Sequence, residues 1–340
     1  MGSEMCIRDR SSSIPAKGEG QKIPGSSVNL LSRFAENAFW IGRYVERAEN
    51  LARLIAVTEA LSAGNDDTES WTSLLQTFFD EPAYEATGRS RTGLSISRWY
   101  ILDKDNPNSV ISALTLAREN ARALRHIIPT EMWRQINMLH GTVEGLTARK
   151  VTLPRLNEIC ESIRLGCQAH FGVVDSTWYR DEAWLFHKLG CELERADQTT
   201  RLMDISNFKL MALGEDGAIP TGAWWNSLLR QASGYQAFRR KHRVNVDPAD
   251  AAAFLLFDSD FPRSVRLSML QAFSRLDDLE TDYSAPPDQA LVVARTALAT
   301  RMQDRPEALV GHGLHTYLDE VQRDLNGFAN AIASRYFGTG

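Results

Sequence analysis

The chain is short of cysteine, has no long apolar run and carries no excess of positive charge. Each shortage removes a class of function. Only four cysteines, Cys6, Cys160, Cys167 and Cys191, stand among 340 residues. No Cys-x-x-Cys pair and no His/Cys cluster with zinc spacing appears, so no metal centre is expected. Cys160 and Cys167 are seven residues apart. On a helix they would share a face two turns apart, too far for a disulfide. They read as buried thiols of a protein in a reducing cytoplasm. The longest apolar run, residues 251–257, falls far short of the ~20 residues that span a bilayer. A net charge of −5 and a pI near 5.9 argue against nucleic acid as a partner. There is no phosphate-binding loop, no Gly-x-Ser-x-Gly turn and no dinucleotide fingerprint. His126, His140, His170 and His187 are scattered singly, without the spacing of a base and its nucleophile. No cofactor is expected on these grounds.

What is present is the composition of a soluble globular protein, 43% hydrophobic and 24% charged. The length suits one large domain or two ordinary ones. Residues 1–27 stand apart. They are rich in Ser, Gly, Lys and Pro, and they lack both helical periodicity and the apolar core of a signal peptide. Met5-Cys6-Ile7-Arg8-Asp9-Arg10 resembles translated sequencing-adapter read-through. The stretch reads as a disordered leader foreign to the fold, with the domain proper at 28–340.

Past the leader, Leu31, Phe34, Ala38, Ile41, Val45, Ala48, Ala52 and Ile55 recur every three or four residues. That is the stripe of a core-facing helix, expected to end near Gly64. Further helices are expected over 71–79, 106–124, 129–145, 154–172, 181–213, 224–243, 246–257, 262–283, 288–302 and 306–336. Residues 81–97, with one proline and two glycines, read as a loop or broken segment, and 214–222 as a linker. No useful length alternates with period two, so the fold class is all-α.

The most informative feature is an echo. Gly42-Arg43-Tyr44-Val45-Glu46-Arg47-Ala48-Glu49-Asn50 through Arg53-Leu54 returns as Gly190-Cys191-Glu192-Leu193-Glu194-Arg195-Ala196-Asp197-Gln198 through Arg201-Leu202, always 148 positions later. Pro107-Asn108-Ser109-Val110 returns as Pro262-Arg263-Ser264-Val265 at an offset of 155. Such echoes predict an internal repeat. The expected architecture is a helical bundle of two related halves, about 28–175 and 176–340. Each half contains a Glu-Arg helix, and the two helices meet near a pseudo-twofold.

On a helix, Gly42, Glu46, Glu49 and Arg53 share one face, as do Gly190, Glu194, Asp197 and Arg201. Three readings of this face remain open. It can be an inter-helix ion-pair network, with Glu46 on Arg195 and Glu194 on Arg47, that sets register. It can be a polar pocket where arginines hold an anion and carboxylates hold an amine or a metal. It can also be a plain solvated face. Glycine is costly inside a helix, and its return at the same place predicts close approach by a backbone or ligand. A di-metal carboxylate site would want histidine three residues after each glutamate, but Glu49 and Asp197 stand there. Glu119 and Arg122, beside Arg118 and Arg125, read as a solvated face. Trp133 reads as core, and Trp224-Trp225 as core or interface. The basic run 239–243 reads as solvated.

These residues resemble the Alpha-E family, bacterial all-helical proteins named for a recurring Glu-Arg motif. Leu31-Ser32-Arg33-Phe34-Ala35-Glu36-Asn37 leading into Gly42–Asn50 resembles its opening. Glu119-Asn120-Ala121-Arg122 with Glu131-Met132-Trp133 resembles its middle. Leu189-Gly190 through Arg201 resembles its second motif, and Asp258-Ser259-Asp260-Phe261-Pro262-Arg263-Ser264 a later segment. The resemblance covers about 28–336. Cys191 departs from it, because the pattern favours arginine there, as at Arg43. The resemblance implies a setting of ATP-dependent peptide synthesis or modification, with an ATP-grasp-type ligase and a transglutaminase-like protein as partners. It implies an accessory helical protein that binds a partner or peptide-like ligand through a Glu/Arg-lined groove, and the candidate binding or ion-pair residues are Glu46, Arg47, Glu49, Arg53, Glu119, Arg122, Glu194, Arg195, Asp197 and Arg201. The alternatives are an enzyme acting through Glu46, Arg47, Glu194 and Arg195, or a purely structural oligomer subunit.

Overall fold

A computed structural model describes residues 27–62, 68–213, 221–242, 246–282, 288–303 and 311–337. Most of the leader, the Gly64 turn, most of the 214–222 linker and the Trp224 side chain lie outside them. Among the described residues the regular structure is helical, with no strand. The first seven helices are α1 (Ser27–Ser62), α2 (Thr68–Thr77), α3 (Glu81–Ala86), α4 (Gly93–Leu102), α5 (Val110–Ala123), α6 (Thr130–Glu144) and α7 (Leu153–Thr177). The next seven are α8 (Glu182–Leu213), α9 (Thr221–Gln231), α10 (Tyr235–Lys241), α11 (Pro248–Phe257), α12 (Val265–Asp282), α13 (Gln289–Arg301) and α14 (Gly311–Tyr336).

The two long helices α1 and α8 pack on each other at the centre. Around them, α5 and α7 lie on α1, while α12 and α14 lie on α8. The apolar stripe of α1 explains its place: Ala38, Ile41, Val45, Ala48, Ala52 and Ile55 are wholly buried. One contiguous core runs from these residues through α5, α7, α12 and α14.

Two corners set where α5 and α12 begin. At the first, the Asp103 carboxylate accepts from the Asp105 N–H (2.9 Å), and the Ser109 hydroxyl caps the Ser112 N–H (3.2 Å). At the second, the Asp258 carboxylate accepts from the Asp260 N–H (2.9 Å), and the Ser264 hydroxyl caps the Leu267 N–H (3.1 Å). Each serine hydroxyl also donates to the carbonyl of its corner aspartate. Serine capping of orphan N–H groups fixes the helix starts, so Pro107 and Pro262 lie in the turn before the helix.

Three elements differ from expectation. The helix expected over 224–243 is broken, because Ser233 adopts a left-handed φ of 56°. There the Gly234 N–H closes back on the Leu229 carbonyl (2.7 Å) and ends α9. Phe79 (φ 55°) ends α2 in the same way, with the Asp80 N–H on the Leu75 carbonyl (2.9 Å). Segment 81–97 holds α3 and the start of α4. It is ordered by buried Tyr84, whose hydroxyl joins the Ser90 carbonyl and the Ser95 hydroxyl at 2.7 Å. Finally, α7 runs past Gly172 to Thr177.

Candidate functional site

The centre of the molecule is the line along which α1 and α8 touch. A Cβ on Gly42 would lie 2.2 Å from the His187 carbonyl oxygen, and one on Gly190 would lie 2.1 Å from that of Phe39. Both glycines are therefore required by backbone contact rather than by turn geometry. From this level, where 39–42 meets 187–190, the contacts advance to Glu46 with Arg195 and Arg47 with Glu194, in the same direction along both helices, so α1 and α8 run parallel.

One turn on, the two Glu-Arg pairs interlock. Arg47 donates through Nε to Glu194 Oε1 (2.8 Å) and through Nη2 to Oε2 (3.3 Å). Arg195 donates through Nε to Glu46 Oε1 (3.1 Å) and through Nη2 to Oε2 (2.8 Å). These reciprocal two-point bonds join the pairs named in the ion-pair reading, Glu46 with Arg195 and Glu194 with Arg47. Glu46 is 0% exposed and Glu194 1%. Arg43 adds a bond from Nε to Glu194 Oε2 (2.7 Å).

Across from Arg43, Cys191 brings no charge to Glu46. Arg263, from the corner before α12, supplies it instead. Its Nη1 donates to Glu46 Oε1 (3.1 Å) and Asn50 Oδ1 (2.8 Å), and its Nη2 donates to Glu49. Glu49 also accepts from Arg53 Nη2 (2.6 Å) and Gln168 Nε2 (3.2 Å). On α8, Arg201 Nε donates to Asp197 Oδ2 (2.8 Å), and Gln198 Nε2 donates to Glu194 Oε1 (3.1 Å).

The electrostatics follow from this crowding. Burial alone would raise the pKa of Glu194, but Arg47 and Arg43 outweigh it and hold the group at about 2. Burial likewise opposes Arg263 and Arg53 at Glu49, and the arginines again win, at about 2. Burial would depress Arg47 and Arg195, yet their carboxylate partners raise both above the usual arginine value. Glu49 and Glu194 stay ionised, and Arg47 and Arg195 protonated, throughout the neutral range.

A family model described as a predicted alpha-helical domain with a conserved ER motif matches residues 30–337. The chain belongs to the Alpha-E family. Among curated proteins it is similar to uncharacterised proteins of Mycobacterium bovis and Mycobacterium tuberculosis, at 23% identity over 343 residues. The match covers 94% of this chain and 37% of each relative, so the chain spans little more than a third of their length. No solved structure matches it.

Of the ten residues marked in the sequence of this Alpha-E chain, eight line the seam. The other two, Glu119 and Arg122, pair with each other (2.6 Å) on the exposed side of α5, as a solvated face does. Sequence reasoning missed Arg263, Gln168 and Glu192 as seam members. Glu192 takes a second hold on Arg195 (3.1 Å). Trp133 is partly buried against the core, with Arg118 and Arg125 over its ring. Trp225 is core. In the basic run, Lys241 bonds Asp258 (2.6 Å) and His242 stacks on Phe238.

Two other groupings of reactive side chains stand outside the Glu-Arg network. His170 and His187 touch Nε2 to Nε2 at 3.2 Å, and burial pushes His170 down to about 3. Burial also drives the Cys160 thiol up to about 12 and that of Cys191 higher still, so neither serves as a ready nucleophile. Asp204, His315 and Asp319 bring ligand atoms within 4.8 Å of one another between α8 and α14, the one such group among the described residues. His315 Nδ1 is engaged with Asp204 Oδ1 at 2.7 Å.

Proposed function

We propose that this Alpha-E protein is a helical accessory component of a peptide synthesis or modification system, a binding module rather than its catalyst. In this reading it docks an ATP-grasp-type ligase, a transglutaminase-like protein or their peptide-like substrate. The observation that carries the non-catalytic part is the reciprocal pairing of Glu46 with Arg195 and Glu194 with Arg47. Residues consumed in holding each other have no proton to give. The partners come from the family resemblance. The mycobacterial relatives, whose greater part lies outside the match, have room for fused domains of that kind.

We also read the chain as two related halves, one turning into the other at about residue 175. Among the described residues seven helices follow seven, with the longest of each set, α1 and α8, at the head and the next longest, α7 and α14, at the tail. The left-handed residues Phe79 and Ser233 and the capping serines Ser109 and Ser264 fall at matching places. A cytoplasmic setting is supported by Cys160, Cys167 and Cys191, which are buried and unpaired.

Co-purification tests the docking. Residues 28–340, immobilised, are expected to retain an ATP-grasp-type ligase from the same organism. Loss of retention in Glu46→Gln, with the helical circular dichroism intact, is the result expected if the seam supports the docking face. Failure to retain either the ligase or the transglutaminase-like protein would overturn the proposal.

A further inference from the structure

We propose that the α8 side of the seam is a seat for the guanidinium or alkylammonium group of a ligand, held by Asp197 and Gln198. The proposal uses the correspondence of the two Glu-Arg helices. It is independent of whether a ligase docks.

Two neighbouring acceptors on α8 are left without donors. Asp197 Oδ2 takes Arg201, but Oδ1 has no partner. Gln198 spends Nε2 on Glu194, which also fixes the amide orientation, because the flipped amide would set oxygen against a carboxylate. Its Oε1 is then left without a partner. Asp197 is 8% exposed and Gln198 6%. A buried acceptor without a donor keeps its desolvation penalty uncompensated, so two on consecutive residues call for an occupant. Both are acceptors, which excludes an anion.

The α1 side identifies the occupant. Glu49 and Asn50, 148 positions earlier, are the counterparts of Asp197 and Gln198. There the Arg263 guanidinium bridges them, with Nη1 on Asn50 Oδ1 (2.8 Å) and Nη2 on the Glu49 carboxylate. A planar fork with two parallel donors suits two adjacent acceptors. The counterpart of Arg263, 155 positions earlier, is Asn108. It is too short to reproduce the fork, and its Nδ2 is drawn to Asp80 Oδ1 (2.9 Å) and Oδ2 (3.1 Å). The protein thus fills the seat with its own arginine on one side and leaves the equivalent acceptors unfilled on the other. Arg43 and Arg47 on nearby Glu194 add positive charge, so affinity is expected to be modest and set by N–H donors more than by net charge.

The test is a titration of the full chain with methylguanidinium, methylammonium and tetramethylammonium chlorides at constant ionic strength. Selective 15N-glutamine labelling reads the Gln198 side chain directly in the wild-type protein. Saturable shifts are expected with methylguanidinium, weaker ones with methylammonium and none with tetramethylammonium, which has the charge but no N–H. Gln198→Met, which removes the acceptor without changing charge, is expected to weaken methylguanidinium binding by roughly tenfold, the scale of one hydrogen bond. Glu119→Gln, on the far surface, is expected to leave it unchanged. A peptide carrying internal arginine and free agmatine then separate a side-chain source from a free amine. Equal shifts with all three cations, or no shift with any because water fills the seat, would overturn the proposal. So would undiminished binding by Gln198→Met.

Discussion

Glu194 accepts from four nitrogens, two of Arg47 and one each of Arg43 and Gln198. Neutralising it leaves the buried Arg47 and the part-buried Arg43 without their countercharge. Glu194→Gln is therefore expected to lower stability by about 3–5 kcal/mol in urea unfolding, and a loss below about 1 kcal/mol would count against a buried ion-pair role. The same residue sets an acid limit. Its pKa is about 2 in the fold against 4.5 for the free group. The stabilisation is complete above pH 4.5 and is lost as pH falls toward 2. Glu194→Gln should flatten that limb. Asp80 has the opposite sign, since burial raises it from 3.8 to about 6 against its bonds to Asn108 and Tyr100. Its contribution falls as pH rises through that window, and Asp80→Asn should remove the fall when urea midpoints are compared at pH 4 and 6.5. At this scale the two crossed pairs were legible, because matched spacing on two helices places Glu opposite Arg. Arg263 and Gln168 were not, because they reach Glu46 and Glu49 from elements 217 and 119 residues away.

The helices α1 and α8 depend on glycine where their backbones touch. Gly42→Ala and Gly190→Ala would each set a methyl against a carbonyl that no rotamer change can move. Each is expected to cost more than about 2 kcal/mol, at the upper end of overpacking effects. Gly172 is the control. It lies in the interior of α7 with nothing within 4 Å of its missing Cβ. Gly172→Ala should stabilise by about 0.5–1 kcal/mol, and thermal melts of the three variants side by side check both signs. The repeated glycine made the close approach legible. The break at Ser233 was less so, since a left-handed serine carries little signal beyond the Gly234 that follows it. The extent of α3 and α4 depends on tertiary burial of Tyr84, which no local pattern reports.

For the whole molecule, the all-helical class was legible from periodicity alone. The packing order around α1 and α8 was not, because long-range contacts leave no mark on local sequence. With α5, α7, α12 and α14 all seated on one central pair, the described fold has no natural place to come apart. Tryptophan fluorescence and helical circular dichroism should report coincident unfolding midpoints; two separated transitions would show independent halves.

The near-duplication of α1 and α8 also raises a question of mistaken identity. Each helix carries a Glu-Arg pair that would interlock with a copy of itself on another chain, so a molecule opened at its centre could exchange halves with a neighbour. The small departures from the echo work against this. Along the seam α1 presents Arg43, Arg47 and Arg53 against Glu46 and Glu49, a surplus of one positive charge. On α8, Cys191 and Glu192 replace the arginine and tyrosine, so Glu192, Glu194 and Asp197 face Arg195 and Arg201, a surplus of one negative charge. Pairing α1 with α8 cancels the two surpluses, whereas pairing either helix with its own copy doubles one inside the core. The positions where the two motifs disagree are thus the ones that tell each helix which partner is its own.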